Sequence, residues 1–234
     1  MKNRFAVLLL CATALPAAAA EPAYLTVAGQ GTVNATPDTV ILNTGVVSSA
    51  KTAREALNAN SQTMTALFAV LKKLGVPDRS IRTTNLNLSP QYAPSPTGSM
   101  ALPYDRPVIG YRVSNNVNVT LDEPERAGSV LDALVAAGAN QAGGLSYIFK
   151  NDQGLLSQAR TDAVKNALER ARIYAAATGV TLGPIHAIND TGTISPFYGA
   201  MAGHLASPAP PPTPIGVGEQ ALRANVTVSW EIKQ

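Results

Sequence analysis

The side chains best suited to chemistry are few and scattered. The chain has two histidines, His186 and His204, and neither has an HExxH or CxxC pattern around it. Gly144-Leu145-Ser146-Tyr147-Ile148 lacks the closing glycine of a nucleophile elbow and leads into a strand. Gly29-Gln30-Gly31 lacks the third glycine and the following helix that a phosphate-binding turn needs. The acids Glu55, Asp122, Glu125, Asp132, Asp162 and Glu169 fall at cap positions or on helix faces, where capping and solvation account for them. No catalytic, cofactor-binding or metal-ligating residue stands out, and no cofactor is implied. The tyrosines remain. Tyr92 and Tyr104 suit either an interface or the packing of a loop on its sheet, and Tyr111 suits the core.

The elements that must position these groups alternate between strand and helix patterns. Residues 24–33 read as a strand with Leu25, Val27, Gly29, Gly31 and Val33 on one face, the glycines leaving room for something packed close above. A turn at Thr36-Pro37-Asp38 leads to a strand at 39–47, apolar enough to be central. Residues 51–74 form the clearest helix, with a capping box at Thr52 and Glu55 and an apolar face of Ala53, Ala56, Leu57, Met64, Leu67, Phe68, Leu71 and Leu74. Strands follow at 81–88 and 109–121. In the second, Ile109, Tyr111, Val113, Val117, Val119 and Leu121 are expected to face inward.

A shorter helix is expected after Asp122 as its cap, with Val130, Leu131, Leu134 and Val135 inward and Gly138 as its end. A short strand at 145–150 precedes a long helix at 155–178. Alanines at 159, 163, 167, 171 and 175 let that helix lie close to a sheet. An edge strand at 180–189, kinked at Gly183-Pro184, and a closing strand at 224–233 complete the order β-β-α-β-β-α-β-α-β-β. This is an α+β pattern: a mostly antiparallel sheet with helices packed on one face.

Two stretches interrupt it. Residues 89–107 are too long for a tight turn and are expected to protrude. They carry Tyr92, Met100, Leu102 and Tyr104, apolar or amphipathic groups a free loop would rather bury, with five prolines that lower the entropy lost on docking. These four residues are the expected interaction loop. Residues 194–218 form a Pro-rich insertion expected to be mobile, with 207–214 dispensable for folding.

Composition narrows the function classes. The chain has 234 residues, 46% hydrophobic and 14% charged, which excludes charge-driven disorder. Residues 1–20 read as a signal peptide: Lys2 and Arg4, an apolar run from Phe5 to Leu15, then Ala18-Ala19-Ala20 before cleavage. The run is too short to span a membrane, and no later segment suits a span. Removing Lys2 and Arg4 leaves 16 basic against 15 acidic residues, with no basic stripe for nucleic acid. The only cysteine, Cys11, goes with the leader, so residues 21–234 form one domain without thiols or disulfides. The periplasm is the expected destination.

Several of these residues carry a family pattern in a fixed order: Val27-Ala28-Gly29-Gln30-Gly31, Pro37-Asp38, Ser89-Pro90-Gln91-Tyr92, Ile109-Gly110-Tyr111-Arg112-Val113, Gly138-Ala139-Asn140, the Ala163/Ala167/Ala171 helix, and Gly179 with Leu182-Gly183. In this the sequence resembles the SIMPL domain family, bacterial periplasmic proteins of the immunogenic-antigen and envelope oxidative-stress type. The resemblance implies an α+β periplasmic protein linked to envelope stress and homo-oligomer assembly, with other envelope proteins as further partners. It carries no catalytic motif. Three readings stay open: a non-enzymatic protein acting by self-association, a binding module for a small molecule or envelope polymer, and a hydrolase or isomerase with carboxylates or tyrosines that the pattern does not single out.

Overall fold

A computed structural model describes residues 22–94, 106–194 and 213–233. The strands divide into two antiparallel sheets, and each sheet carries its helices on one face. β1 (Ala23–Ala35), β6 (Thr181–Ile194) and β7 (Gln220–Lys233) form the first sheet in the order β1-β7-β6. β2 (Thr39–Ala50), β3 (Ile81–Tyr92), β4 (Val108–Leu121) and β5 (Gln141–Ile148) form the second in the order β3-β4-β2-β5. The α+β class and the element order are those read from the sequence. β2 is central and β6 is an edge, as expected.

The second sheet has a core of large side chains. Helix α1 (Ala53–Lys73) starts at the expected capping box: the Thr52 hydroxyl accepts from Glu55 N at 3.2 Å, and the Glu55 carboxylate accepts from Thr52 N at 3.2 Å. Met64, Leu67 and Leu71 bury against Val40, Leu42, Val46, Val117 and Val119, joined by Val130 and Leu134 of α2 (Ala127–Ala136). Asn60, on the same face, is also buried and donates to Val46 O at 3.0 Å. Leu57, Phe68 and Val135 were expected inward but are exposed, because they flank the contact stripe. Asp122 does not cap α2. A 3₁₀ turn at Pro124–Arg126 precedes that helix, and Asp122 instead accepts from Lys150 Nζ at 2.9 Å.

The first sheet has a core of small side chains. Helix α3 (Gln153–Thr178) buries Ala159, Ala163, Ala167, Ala171 and Ala175 over β1. A Cβ at Gly31 would overlap Ala159 O, and one at Gly29 would overlap Ala163 O and lie 2.6 Å from Ala167 N. The glycines and alanines therefore act as one unit that lets two backbones touch. Further along the turn of the helix, Arg170 Nη1 donates to Ala28 O at 2.6 Å and Asn166 Oδ1 accepts from Gln30 N at 3.2 Å. These side chains occupy hydrogen-bonding groups that the outer edge of β1 would otherwise offer to another strand.

The two halves are joined by the chain and by tied ends. Asp38 accepts from Thr39 Oγ1 and from Lys150 N, both at 2.8 Å, which locks the β1–β2 turn to the end of β5. The Lys150 amide holds the Asp38 carboxyl below its ordinary range, against a smaller upward push from burial. Within the Pro-rich stretch, residues 195–212 lie outside the described residues, and its end from residue 213 is described. Thr213 donates through N and Oγ1 to the Asp132 carboxylate at 3.0 and 2.6 Å, and Ile215 packs on the larger core. β6 runs on to Ile194, past the strand end expected at residue 189.

Candidate interaction surface

The β3–β4 hairpin outgrows its sheet. β2 ends at Ala50, opposite Tyr111, so β4 residues 108–110 pair with β3 alone. Ser89–Tyr92, expected in the loop, belongs to β3 because its hydrogen-bonded ladder continues that far. The mouth of the loop is closed by Ala93 N donating to Pro107 O at 3.0 Å and by Arg106 Nη1 donating to Ala93 O at 2.9 Å.

This arm presents apolar groups to solvent. Leu86 is 58% exposed, Leu88 46%, Val108 46% and Ile109 59%. Leu88 lies opposite the fully buried Val113 in the ladder and so shares its face, but α1 stands over β2 and β4 and does not reach across β3. Ile109 was expected inward. Its parity along β4 is right for that, but at this end the sheet has only two strands and no core to face.

Of the four expected interaction residues, Tyr92 is described: it is half-buried, opposite Val108 at the end of β3. Met100, Leu102 and Tyr104 lie outside the described residues. Tyr111, expected in the core, is half-buried opposite Pro90. The residues that the sequence reading missed are Leu86, Leu88, Val108 and Ile109. The uncovered strand pair exposes them, and alternation cannot show which strands a helix covers.

The acids with shifted titration lie elsewhere and serve as ties. Asp132 is held low by the Thr213 hydroxyl and amide, and Asp190 by the Gly192 amide and the Arg160 guanidinium. Burial pushes the Tyr147 hydroxyl up. His186 packs its ring on Tyr24, with centroids 4.3 Å apart, on the edge sheet. Among the described residues no three His, Cys, Asp or Glu side chains gather as metal ligands.

The family motifs now have physical roles. Gly138 takes a φ of +108° to end α2. The Asn140 side chain then behaves like a strand peptide, accepting from Val47 N at 2.7 Å and donating to Val47 O at 2.8 Å. Gly179, at a φ of +72°, ends α3. The profile of SIMPL, described as proteins of unknown function (DUF541), matches residues 25–230. The chain belongs to the SIMPL family. It is 35% identical to the 26 kDa periplasmic immunogenic protein of Brucella melitensis, over 97% of this chain and 94% of that protein. The Brucella abortus protein of the same name is 34% identical over the same shares. Over 72% of this chain it is 30% identical to the uncharacterized protein YggE of Edwardsiella ictaluri, covering 68% of that protein. No helix among the described residues of this SIMPL protein is long and apolar enough to cross a membrane.

Proposed function

We propose that this SIMPL protein is a non-catalytic envelope protein that acts through protein–protein contacts, self-association first, in envelope or oxidative-stress tolerance. The observation that carries the reading is the projecting β3–β4 arm, with Leu86, Leu88, Val108 and Ile109 open to solvent. Clustered apolar groups on a strand pair favour burial on a neighbour, and a closed ring of copies buries them without open ends. Tyr92 stands at the end of this arm, and the expected interaction residues Met100, Leu102 and Tyr104 follow it in the sequence, outside the described residues. The leader pattern over residues 1–20, ending at Ala20, and the periplasmic names of the Brucella relatives support that setting.

The test is the solution mass of residues 21–234, by light scattering at micromolar concentration. The expected result is a uniform assembly that L86E/I109E reduces to monomer without lowering the melting temperature. A wild-type monomer would overturn the reading, and an assembly that survives the double variant would place the contact away from the arm.

A further inference from the structure

Strand β5 carries an irregularity that opens a pocket on the second sheet. Its register against β2 shifts between Asn43 and Thr44: Asn43 lies opposite Gly144 and Thr44 opposite Ala142, so Gly143 is the extra residue of a bulge. Gly144 takes a φ of +103°, a conformation that favours glycine. A Cβ at Gly143 would overlap Asn43 Oδ1, so this glycine lets the Asn43 amide lie against β5. Ile41 and Asn43 alternate with the buried Val40, Leu42 and Thr44, and Asn118 lies between the buried Val117 and Val119, so these three face away from α1. With Gly143, Gly144 and Ser146 they line a pocket of about 220 Å³. Helices α1 and α2 hold the opposite face of this sheet, and α3 packs on the other sheet.

The lining has no charged and no aromatic side chain, and Arg82, opposite Asn118 on β3, is outside it. Its polar atoms form a set. Asn43 and Asn118 are cross-strand partners, and Asn43 Nδ2 donates to Asn118 Oδ1 at 2.9 Å. That bond fixes both amides. It leaves the acceptor Asn43 Oδ1 and the donor Asn118 Nδ2 without a partner among the described residues. The exposed Ser146 hydroxyl, opposite Ile41, is likewise unpartnered among them and can donate or accept. Ile41, half-buried, adds an apolar patch beside these groups.

We propose that this pocket binds one neutral hexopyranose ring, its hydroxyls shared among Asn43, Asn118 and Ser146 and its C–H face on Ile41. An ionic ligand would meet no counter-charge in the lining. A purely apolar one would strip water from two amides without replacing it. A sugar hydroxyl both donates and accepts, so it satisfies each free group. The volume suits one ring rather than a drug-sized ligand. The ring is a free sugar or one unit of a glycan chain, and both offer the same hydroxyls. The proposal does not rest on self-association, whose four exposed residues lie on β3 and at the start of β4.

The experiment is calorimetric titration of residues 21–234 with glucose, galactose, mannose and N-acetylglucosamine at millimolar concentration, the range expected for a single ring. The expected result is saturable binding of at least one of them, one per chain, that added salt does not weaken, since no charge lines the pocket. Asn118→Leu removes the free donor and should weaken binding about tenfold, the scale of one polar contact. Ser146→Trp fills the pocket from an exposed position on an edge strand and should abolish binding with the melting temperature unchanged. Repeating the titration with an oligosaccharide of the sugar that binds separates the two sources. Equal or tighter binding assigns the pocket to a glycan chain, and no binding assigns it to the free sugar. No saturable binding of any of the four sugars, binding that Ser146→Trp leaves intact, or binding that salt abolishes would overturn the proposal.

Discussion

Helix α1 rests on its sheet through Met64, Leu67 and Leu71 set among Val40, Leu42 and Val46, whereas α3 rests on Gly29 and Gly31 through a row of alanines. The first contact is made by side chains that can shift. The second is made by backbone, which cannot. Both helices stand off-centre, and each leaves an edge strand with two apolar residues uncovered: Leu86 and Leu88 on β3, Ile185 and Ile188 on β6. The small-residue contact does more than hold α3. It brings Asn166 and Arg170 around the edge of β1 and leaves an open hollow on the other side, beside Leu168, Leu182 and Trp230.

The sharpest way to break this comparison is Gly31→Val. Its Cβ would overlap the Ala159 carbonyl, and no rotamer change relieves a clash with backbone. The expected loss is about 4 kcal/mol or more in urea unfolding, at the upper end for single substitutions. A loss below about 1 kcal/mol would mean that α3 can lift without cost, and the small-residue unit would not be the anchor described.

Leu71→Ala tests the other contact. Leu71 is fully buried, and truncation should cost about 3 kcal/mol, with the protein still folding because neighbouring side chains partly fill the cavity. The melting curve should stay cooperative. If Leu71→Ala abolished folding while Gly31→Val did not, the contrast between the two interfaces would be reversed.

Removing the edge guard should change association more than stability. In the N166A/R170A variant the Ala28 carbonyl and Gln30 amide become free. Unfolding should shift by about 0.5 kcal/mol, as for exposed polar contacts, while light scattering should show new, concentration-dependent association along β1. An unchanged mass would show that Asn166 and Arg170 do not protect that edge.

The smallest effect concerns the tie at Thr213. Asp132 has its pKa lowered in the folded state, so the tie stabilises the fold above the ordinary carboxyl range and is lost as pH falls through the lower folded value. Comparing wild type with Asp132→Asn in urea should give the largest difference near neutral pH, shrinking below about pH 4. A difference that grows on acidification would contradict the direction of the shift.

Much of this was legible from residues alone because it depends on neighbours in sequence. The capping box at Thr52 and Glu55, the helix ends at Gly138 and Gly179, and the alanine stripe at spacing four follow from local geometry. That Gly29 and Gly31 admit a close neighbour was legible too, whereas its identity as the alanine stripe of α3 came only with the fold. The family pattern was legible for the same reason: its residues serve turns, caps and close contacts.

What only the tertiary structure decided is which faces are covered. Alternation gives Ile109 and Val113 the same parity, yet one is 59% exposed and the other fully buried, because β2 stops at Ala50 and α1 reaches only part of the sheet. The division into two sheets, the pairing of β1 with β7 across nearly the whole chain, and the use of Asp132 as an anchor rather than a solvated surface acid belong to the same class. Each depends on contacts between residues far apart in sequence. A periodic pattern states that a face is apolar, but only the assembled fold determines what, if anything, lies against it.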